Sequence, residues 1–175
     1  MDVTWQQHAF SFPDALVRQA NLSWQHNRAS HLFNGELARL NKVQVQQNRL
    51  LLDLSVSTYA LLLYSNEHVD TIIATWGERS LAKTLGISAV VISADQKIVL
   101  MKRSHEVGEF PGCWDVFGGH IDKPQQGSVP DVYAAMQQEL MEELSLDPSS
   151  FDLDILSVIE TKSNRKPELV FRSFC

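Results

Sequence analysis

The chain reads as an α/β protein with a small α+β extension at its amino-terminal end. Three observations carry that reading. Residues 37–57 contain two runs in which apolar and polar side chains alternate. Residues 87–93 form an apolar, β-branched run that fits a buried strand. Residues 13–26 and 128–144 combine helix-start chemistry with apolar side chains at helical spacing. From Gly86 onward the strand and helix signals become cleaner, so residues 1–85 are assigned to the extension and 86–175 to the main domain.

Residues 1–12 carry few signals and are expected to be poorly ordered. Pro13 and Asp14 suit the first turn of a helix, and Leu16, Ala20 and Trp24 recur along one face to about His26. Asn34-Gly35 breaks the chain. Residues 37–45 and 49–57 then form a hairpin around Gln46-Gln47-Asn48. Residues 58–64 and 66–75 suit a short helix or a buried strand equally. Arg79–Leu85 is read as a helix stopped by Gly86. Two strands, 87–93 and 98–102, flank a turn at 94–97 and lead into a loop with Gly108, Pro111 and Gly112. Trp114–Phe117 is a short strand delivering Gly118-Gly119, with both aromatics read as packing residues. Ser128 is the expected N-cap of a helix running to about Leu144. Strands at 151–160 and 169–174 close the sequence.

The composition is 44% hydrophobic and 21% charged, which is ordinary for a globular protein. The apolar run Tyr59–Tyr64 is far shorter than the roughly 18 residues of a membrane span, so no membrane partner is expected. A net charge of −6 argues against nucleic acid gripped by its backbone. Cys113 and Cys175 are too few and too far apart for a disulfide framework or a metal cluster. With no secretory start, cytoplasmic residence is expected, with the nucleus as the alternate.

Chemistry concentrates in Gly118–Leu146. On a helix each residue turns about 100°, which gathers Glu139, Glu142 and Glu143 on one arc and sets Leu140 and Leu144 beside it. Like charges at this spacing repel, and the helix C-terminal end disfavours anions. An acidic run is often only a solvated face. A hard divalent cation would reverse both penalties, because Mg2+ prefers oxygen ligands and shares its shell with substrate phosphates.

This segment resembles the signature of the Nudix hydrolases, G-x5-E-x7-R-E-U-x-E-E-x-G-U, where U is aliphatic. Gly119 takes the first glycine, and Glu139, Glu142 and Glu143 take three glutamates. Pro111-Gly112-Cys113-Trp114 through Gly119 is similar to the approach P-G-x-W-x-x-P-G-G. Gln138 stands for the arginine, Ser145 for the last glycine and Phe117 for the proline. The loop after Gly119 is longer than the pattern, leaving Asp131 as the nearest acid for the first glutamate. The long loop, Gly-Gly-His and Gln138 are similar to the branch acting on UDP-glucose and UDP-galactose. So are Leu32–Gly35, Arg39-Leu40, Thr75–Gly77 and Arg103-Ser104.

The resemblance implies an α/β/α sandwich with a mixed sheet. It also implies Mg2+, with Mn2+ as the alternate, held by the Gly119 carbonyl and by Glu139, Glu142 and Glu143. The same three glutamates are the catalytic candidates, with Glu139 either a ligand or the base for water. Arg103, Gly118 and His120 are the substrate-binding candidates. The implied enzyme cleaves a UDP-sugar, a small-molecule partner, to UMP and a sugar 1-phosphate. Another nucleoside diphosphate conjugate, such as ADP-ribose or coenzyme A, and a catalytically silent binding module are the competing readings. Relatives continue beyond the equivalent of Cys175, so the C-terminal part of the domain is expected to be missing, leaving residues 169–174 as a strand without a partner. The sequence does not indicate an oligomeric state.

Overall fold

The computed structural model describes residues 1–6, 8, 10–27, 32–107, 109–145 and 147–175. Gly108 and Leu146, assigned above to a loop and to the end of the glutamate segment, lie outside the described residues. Contacts gather the chain into two compact units. One is Met1–Leu85 with Asp122–Pro130 and Glu160–Pro167; the other is Gly86–Ile121 with Asp131–Ile159 and Glu168–Cys175.

The first unit is built on a sheet in the order β1-β3-β2. Here β1 is Asp2–Trp5, β2 Glu36–Gln46 and β3 Arg49–Thr58. The expected hairpin is present, and its turn places Gln47 and Asn48 at φ 48° and 61°. A two-residue turn with both φ values positive matches the twist of the flanking strands, and asparagine tolerates that conformation well. Within the span 1–12, expected to be poorly ordered, Asp2–Trp5 departs from expectation, while Gln7 and Ala9 lie outside the described residues. β1 runs parallel to β3, with Asp2 opposite Leu51 and Trp5 opposite Leu54. Four residues carry too little pattern to announce a strand whose partner lies so far along the chain.

Helix α1, Asp14–Asn27, begins where Pro13 and Asp14 predict. The ambiguous stretch resolves into α2, Tyr59–Glu67, and α3, Val69–Trp76. Thr58 caps α2 by accepting from the Leu61 N–H at 3.3 Å. Leu16 and Ala20 of α1 pack with Leu61, Ile72, Leu81 and Ala82 in a core rimmed by Phe12, Tyr64, Ile73 and Trp76. The helix expected over residues 79–85 is not formed. A single 3-10 turn, Glu78–Ser80, is followed by irregular chain with one isolated bridge, Thr84 to Arg39. The Leu40 N–H donates to the Lys83 carbonyl at 2.9 Å and the Leu85 N–H to the Ala38 carbonyl at 2.8 Å. Those non-local partners satisfy the backbone that a helix would have satisfied locally.

The second unit contains β4 (Gly86–Ile92), β5 (Ile98–Val99), β6 (Met101–Lys102), β7 (Trp114–Asp115) and β8 (Phe117–His120). Helix α4 (Val132–Leu144) and strands β9 (Asp152–Glu160) and β10 (Pro167–Phe174) complete it. The main sheet runs β5-β4-β10-β9, and β8 also pairs with β4. It is mixed, because β10 is parallel to β4 while β5 and β8 are antiparallel to it. β6 and β7 form a separate ribbon. Residues 98–102, expected as one strand, thus split between two sheets. The final strand is not the partnerless edge expected from the sequence: β10 lies between β4 and β9. Alternation along β4 and β10 sends Ile87, Ala89, Val91, Leu169 and Phe171 to one face, where all are fully buried. α4 covers that face with Val132, Met136 and Leu140, and Tyr133 meets the Phe171 ring edge-on at 5.5 Å.

Candidate functional site

The site is assembled from α4 and β8. α4 starts one turn later than Ser128 predicts. Asp131 is its N-cap, accepting from the N–H groups of Tyr133 at 3.1 Å and Ala134 at 3.0 Å. Asp131 is therefore spent on the helix end and does not stand in for the signature's first glutamate. At the other end Ser145 takes the left-handed conformation, φ 56° and ψ 32°, and its N–H donates to the Met141 carbonyl. The signature's glycine suits that conformation, and serine adopts it at a cost of about 1 kcal/mol.

β8 brings the glycine pair against β4, with Gly118 opposite Ser88 and Gly119 opposite Ile87. Each glycine is required for a different reason. A Cβ on Gly118 would strike the Ile87 carbonyl and lie 2.8 Å from the Ser88 Cα, so the neighbouring backbone forbids it. A Cβ on Gly119 would instead lie 2.6 Å from the Glu139 Cδ. The Glu139 carboxylate fills the space that a side chain would have taken. The Glu143 Oε2 accepts from the Gly118 N–H at 3.1 Å. The Glu142 Oε1 accepts from the Gln138 Nε2 at 2.8 Å, a neutral donor in the place of the signature's arginine. Two of the three glutamates thus lie directly on the glycine pair, and the third is held one helical turn from Gln138.

Burial raises the Glu143 carboxyl above the ordinary carboxylate range, even though much of its side chain remains exposed. The Gly118 N–H and Arg103 oppose that rise, while Asp115 and Glu142 add to it. A raised folded-state value stabilises the protein most below the unfolded carboxylate range, and that contribution is lost as pH rises through the folded value. The metal-free protein is therefore expected to lose less thermal stability between pH 5 and pH 7.5 as Glu143→Gln than as wild type. Melting temperatures in a chelator across that interval check this, and parallel pH profiles would refute it.

Arg103, a substrate-binding candidate, is mostly buried and engaged. Its Nε donates to the Glu109 carbonyl at 3.1 Å and its Nη1 to the Asp115 Oδ2 at 3.1 Å. Its charge still reaches Glu143. His120 points away from the carboxylates, because strand alternation turns it to the sheet face opposite Gly119. There its Nε2 lies 3.3 Å from the Glu109 Oε2, and Glu109 is itself buried. On that same face Glu168 lies over Gly86, its Cδ 2.8 Å from where a Cβ would stand. Phe117 is buried, but Trp114 is 68% exposed and is not the packing residue the sequence suggested. Sequence reasoning missed Asp115 and Glu109. Asp115 offers only one acid in a two-residue strand, and Glu109 sits in an irregular loop, so neither had a periodic signal.

Among the described residues no three Asp, Glu, His or Cys side chains form a ready-made metal cluster. The donor set still fits a hard divalent cation. It is oxygen only, and the absent Cβ of Gly119 leaves one carboxylate against an open backbone.

Two curated proteins, both named uridine diphosphate glucose pyrophosphatase NUDT22, are similar to this chain. The Bos taurus protein is 27% identical over 164 residues, covering 77% of this chain and 57% of its own length. The Mus musculus protein is 33% identical over 90 residues, covering 42% of this chain and 29% of its own length. Nudix hydrolase 9 of Arabidopsis thaliana is 41% identical over 49 residues, covering 28% of this chain and 16% of its own. These similarities agree with the resemblance of the glutamate segment to the Nudix hydrolases. No protein-family model matches the chain. The chain spans little more than half the length of the bovine relative and less of the others. No helix among the described residues is long and apolar enough to cross a membrane.

Proposed function

We propose that the chain is the Nudix part of a Mg2+-dependent hydrolase that splits the diphosphate of a UDP-sugar into UMP and a sugar 1-phosphate. One observation carries the reading: Glu143 is bonded to the Gly118 N–H while Glu139 fills the space above Gly119. Burial and the neighbouring carboxylates make the charged form of Glu143 costly unless a cation joins them. Glu139, Glu142, Glu143 and the Gly119 carbonyl would hold it. When bound, Mg2+ (or Mn2+) would neutralise charge on the phosphates and act as a Lewis acid on their oxygens. The chain's own residues do the positioning. The Gly118 N–H fixes Glu143, and Gln138 fixes Glu142. Arg103, anchored by Asp115, offsets the negative field at Glu143. Glu139 is either a ligand or the base that takes a proton from the attacking water. Water adds across one P–O bond of the diphosphate, and the proton leaves through a carboxylate. Residues 86–175 as the catalytic domain, its α/β/α sandwich, and residues 1–85 as an extension belong to the same proposal.

The similarity to two UDP-glucose pyrophosphatases supports the choice of substrate. The test offers UDP-glucose, UDP-galactose, ADP-ribose and coenzyme A to the protein with Mg2+. UMP is expected from the UDP-sugars, and a chelator or Glu142→Gln should stop it. Cleavage of ADP-ribose or coenzyme A alone would overturn the substrate, and cleavage of none would favour a binding module.

A further inference from the structure

A cavity of about 530 Å³ lies in the first unit, and none of its lining residues belongs to the glutamate site. Arg39, Asp53, Glu78, Arg79 and Lys83 are the charged residues of its wall; Gln6, His8, Asn41 and Ser55 add polar groups, with Phe10 and Leu40 beside them. Arg39 decides its chemistry. It is only 4% exposed, yet no carboxylate pairs with it among the described residues. Its Nη1 donates to the Asn41 Oδ1 at 2.6 Å and its Nη2 to the Arg79 carbonyl at 2.8 Å, both uncharged acceptors. Its Nε is buried with no hydrogen-bond partner. The Phe10 ring covers the guanidinium at 3.8 Å from the ring centroid.

A buried cation without an anion is unstable unless something offsets it. Burial, then the neighbouring Arg79, pull the Arg39 guanidinium down to about 10. Lys83 is paired with Glu78 and Glu160, each at 3.0 Å. Asp53 lines the same cavity and accepts from the uncharged Thr4 and Gln6. Arg39 and Arg79 form no ion pair among the described residues and are the guanidinium groups the cavity offers an anion. The backbone is also shaped here. A bulge between Leu40 and Lys42 interrupts the β2–β3 ladder, and Asn41 at that bulge accepts from both Arg39 and Ser55. Bulges that re-aim a side chain recur beside binding sites. Lys83 adopts a left-handed φ of 44°, rare for a residue with a side chain.

We propose that this cavity is a binding site for a small phosphate-bearing molecule, whose oxygens accept from the free N–H groups of Arg39 and from the Arg79 guanidinium. The fork of an arginine suits phosphate oxygens, and the volume suits a ligand of sugar-phosphate or nucleotide size. The site stands apart from the proposed hydrolysis and needs no metal.

The test measures binding of inorganic phosphate, glucose 1-phosphate and UMP to the whole protein in a chelator, by calorimetry. Uridine and glucose are the uncharged controls. At least one phosphate probe is expected to bind, the controls are not, and Arg79→Gln should weaken binding about tenfold, the loss of one charge-assisted hydrogen bond. The Arg79 side chain is exposed and its carbonyl is untouched by the change, so this variant should fold. Arg39→Met is the second variant, kept only if its circular dichroism matches wild type. Three results would overturn the proposal: no phosphate probe binds, Arg79→Gln binds as tightly as wild type, or Glu142→Gln loses binding to the same extent.

Discussion

Glu143→Gln is expected to lower kcat/KM for diphosphate hydrolysis by about a thousandfold while leaving the fold intact. The side chain is fixed on the glycine-pair backbone, accepting from the Gly118 N–H. Glutamine keeps the shape and an acceptor oxygen, so the hydrogen bond and the packing survive. The negative charge does not. A site that gathers carboxylates to hold a cation loses most when one fixed by a backbone N–H becomes neutral. Steady-state kinetics with Mg2+, beside circular dichroism of the same sample, separate this from unfolding. An activity within tenfold of wild type would remove Glu143 from the proposed machinery.

Gly118→Ala is expected to destabilise the protein by about 3 kcal/mol, with Gly119→Ala costing about 1 kcal/mol or less. The difference lies in what each new methyl group meets. At Gly118 it meets the Ile87 carbonyl and the Ser88 Cα, which belong to a central strand bonded on both sides. Relief there means moving β8 away from β4. At Gly119 the methyl meets only the end of the Glu139 side chain, which can rotate aside. That rotation moves Glu139 out of the site, so Gly119→Ala should lose activity while keeping its stability. Denaturant midpoints and Mg2+-dependent rates on both variants check the contrast. Equal stability losses would show that the glycine pair acts as one structural unit.

Local signals were legible in the sequence where the residues' partners are also local. The hairpin around Gln47-Asn48 and the start of α1 were both read from neighbours a few residues apart. So was the glutamate arc of α4, because helical geometry fixes which side chains share a face. Segments that take their shape from distant strands were misread. Residues 81–85 have helical composition but dock on Ala38 and Leu40, and β1 exists only because β3 offers it an edge. The interior place of β10 has the same origin. Its parallel pairing with β4 spans most of the second unit and leaves no short-range trace. At the site, the residue types were legible but not their engagements. Nothing in the spacing shows that Asp115 holds Arg103, or that strand alternation sends His120 and Glu139 to opposite faces.

Manganese titration followed by NMR tests the central claim most directly. Mn2+ broadens resonances close to where it binds, so the amides of Gly118 and Gly119 should broaden first in the wild-type protein. Glu142→Gln with Glu143→Gln should abolish that effect and leave the rest of the spectrum unchanged. Broadening centred away from the glycine pair, or unaltered by the double substitution, would contradict the assignment of this helix face to a divalent cation.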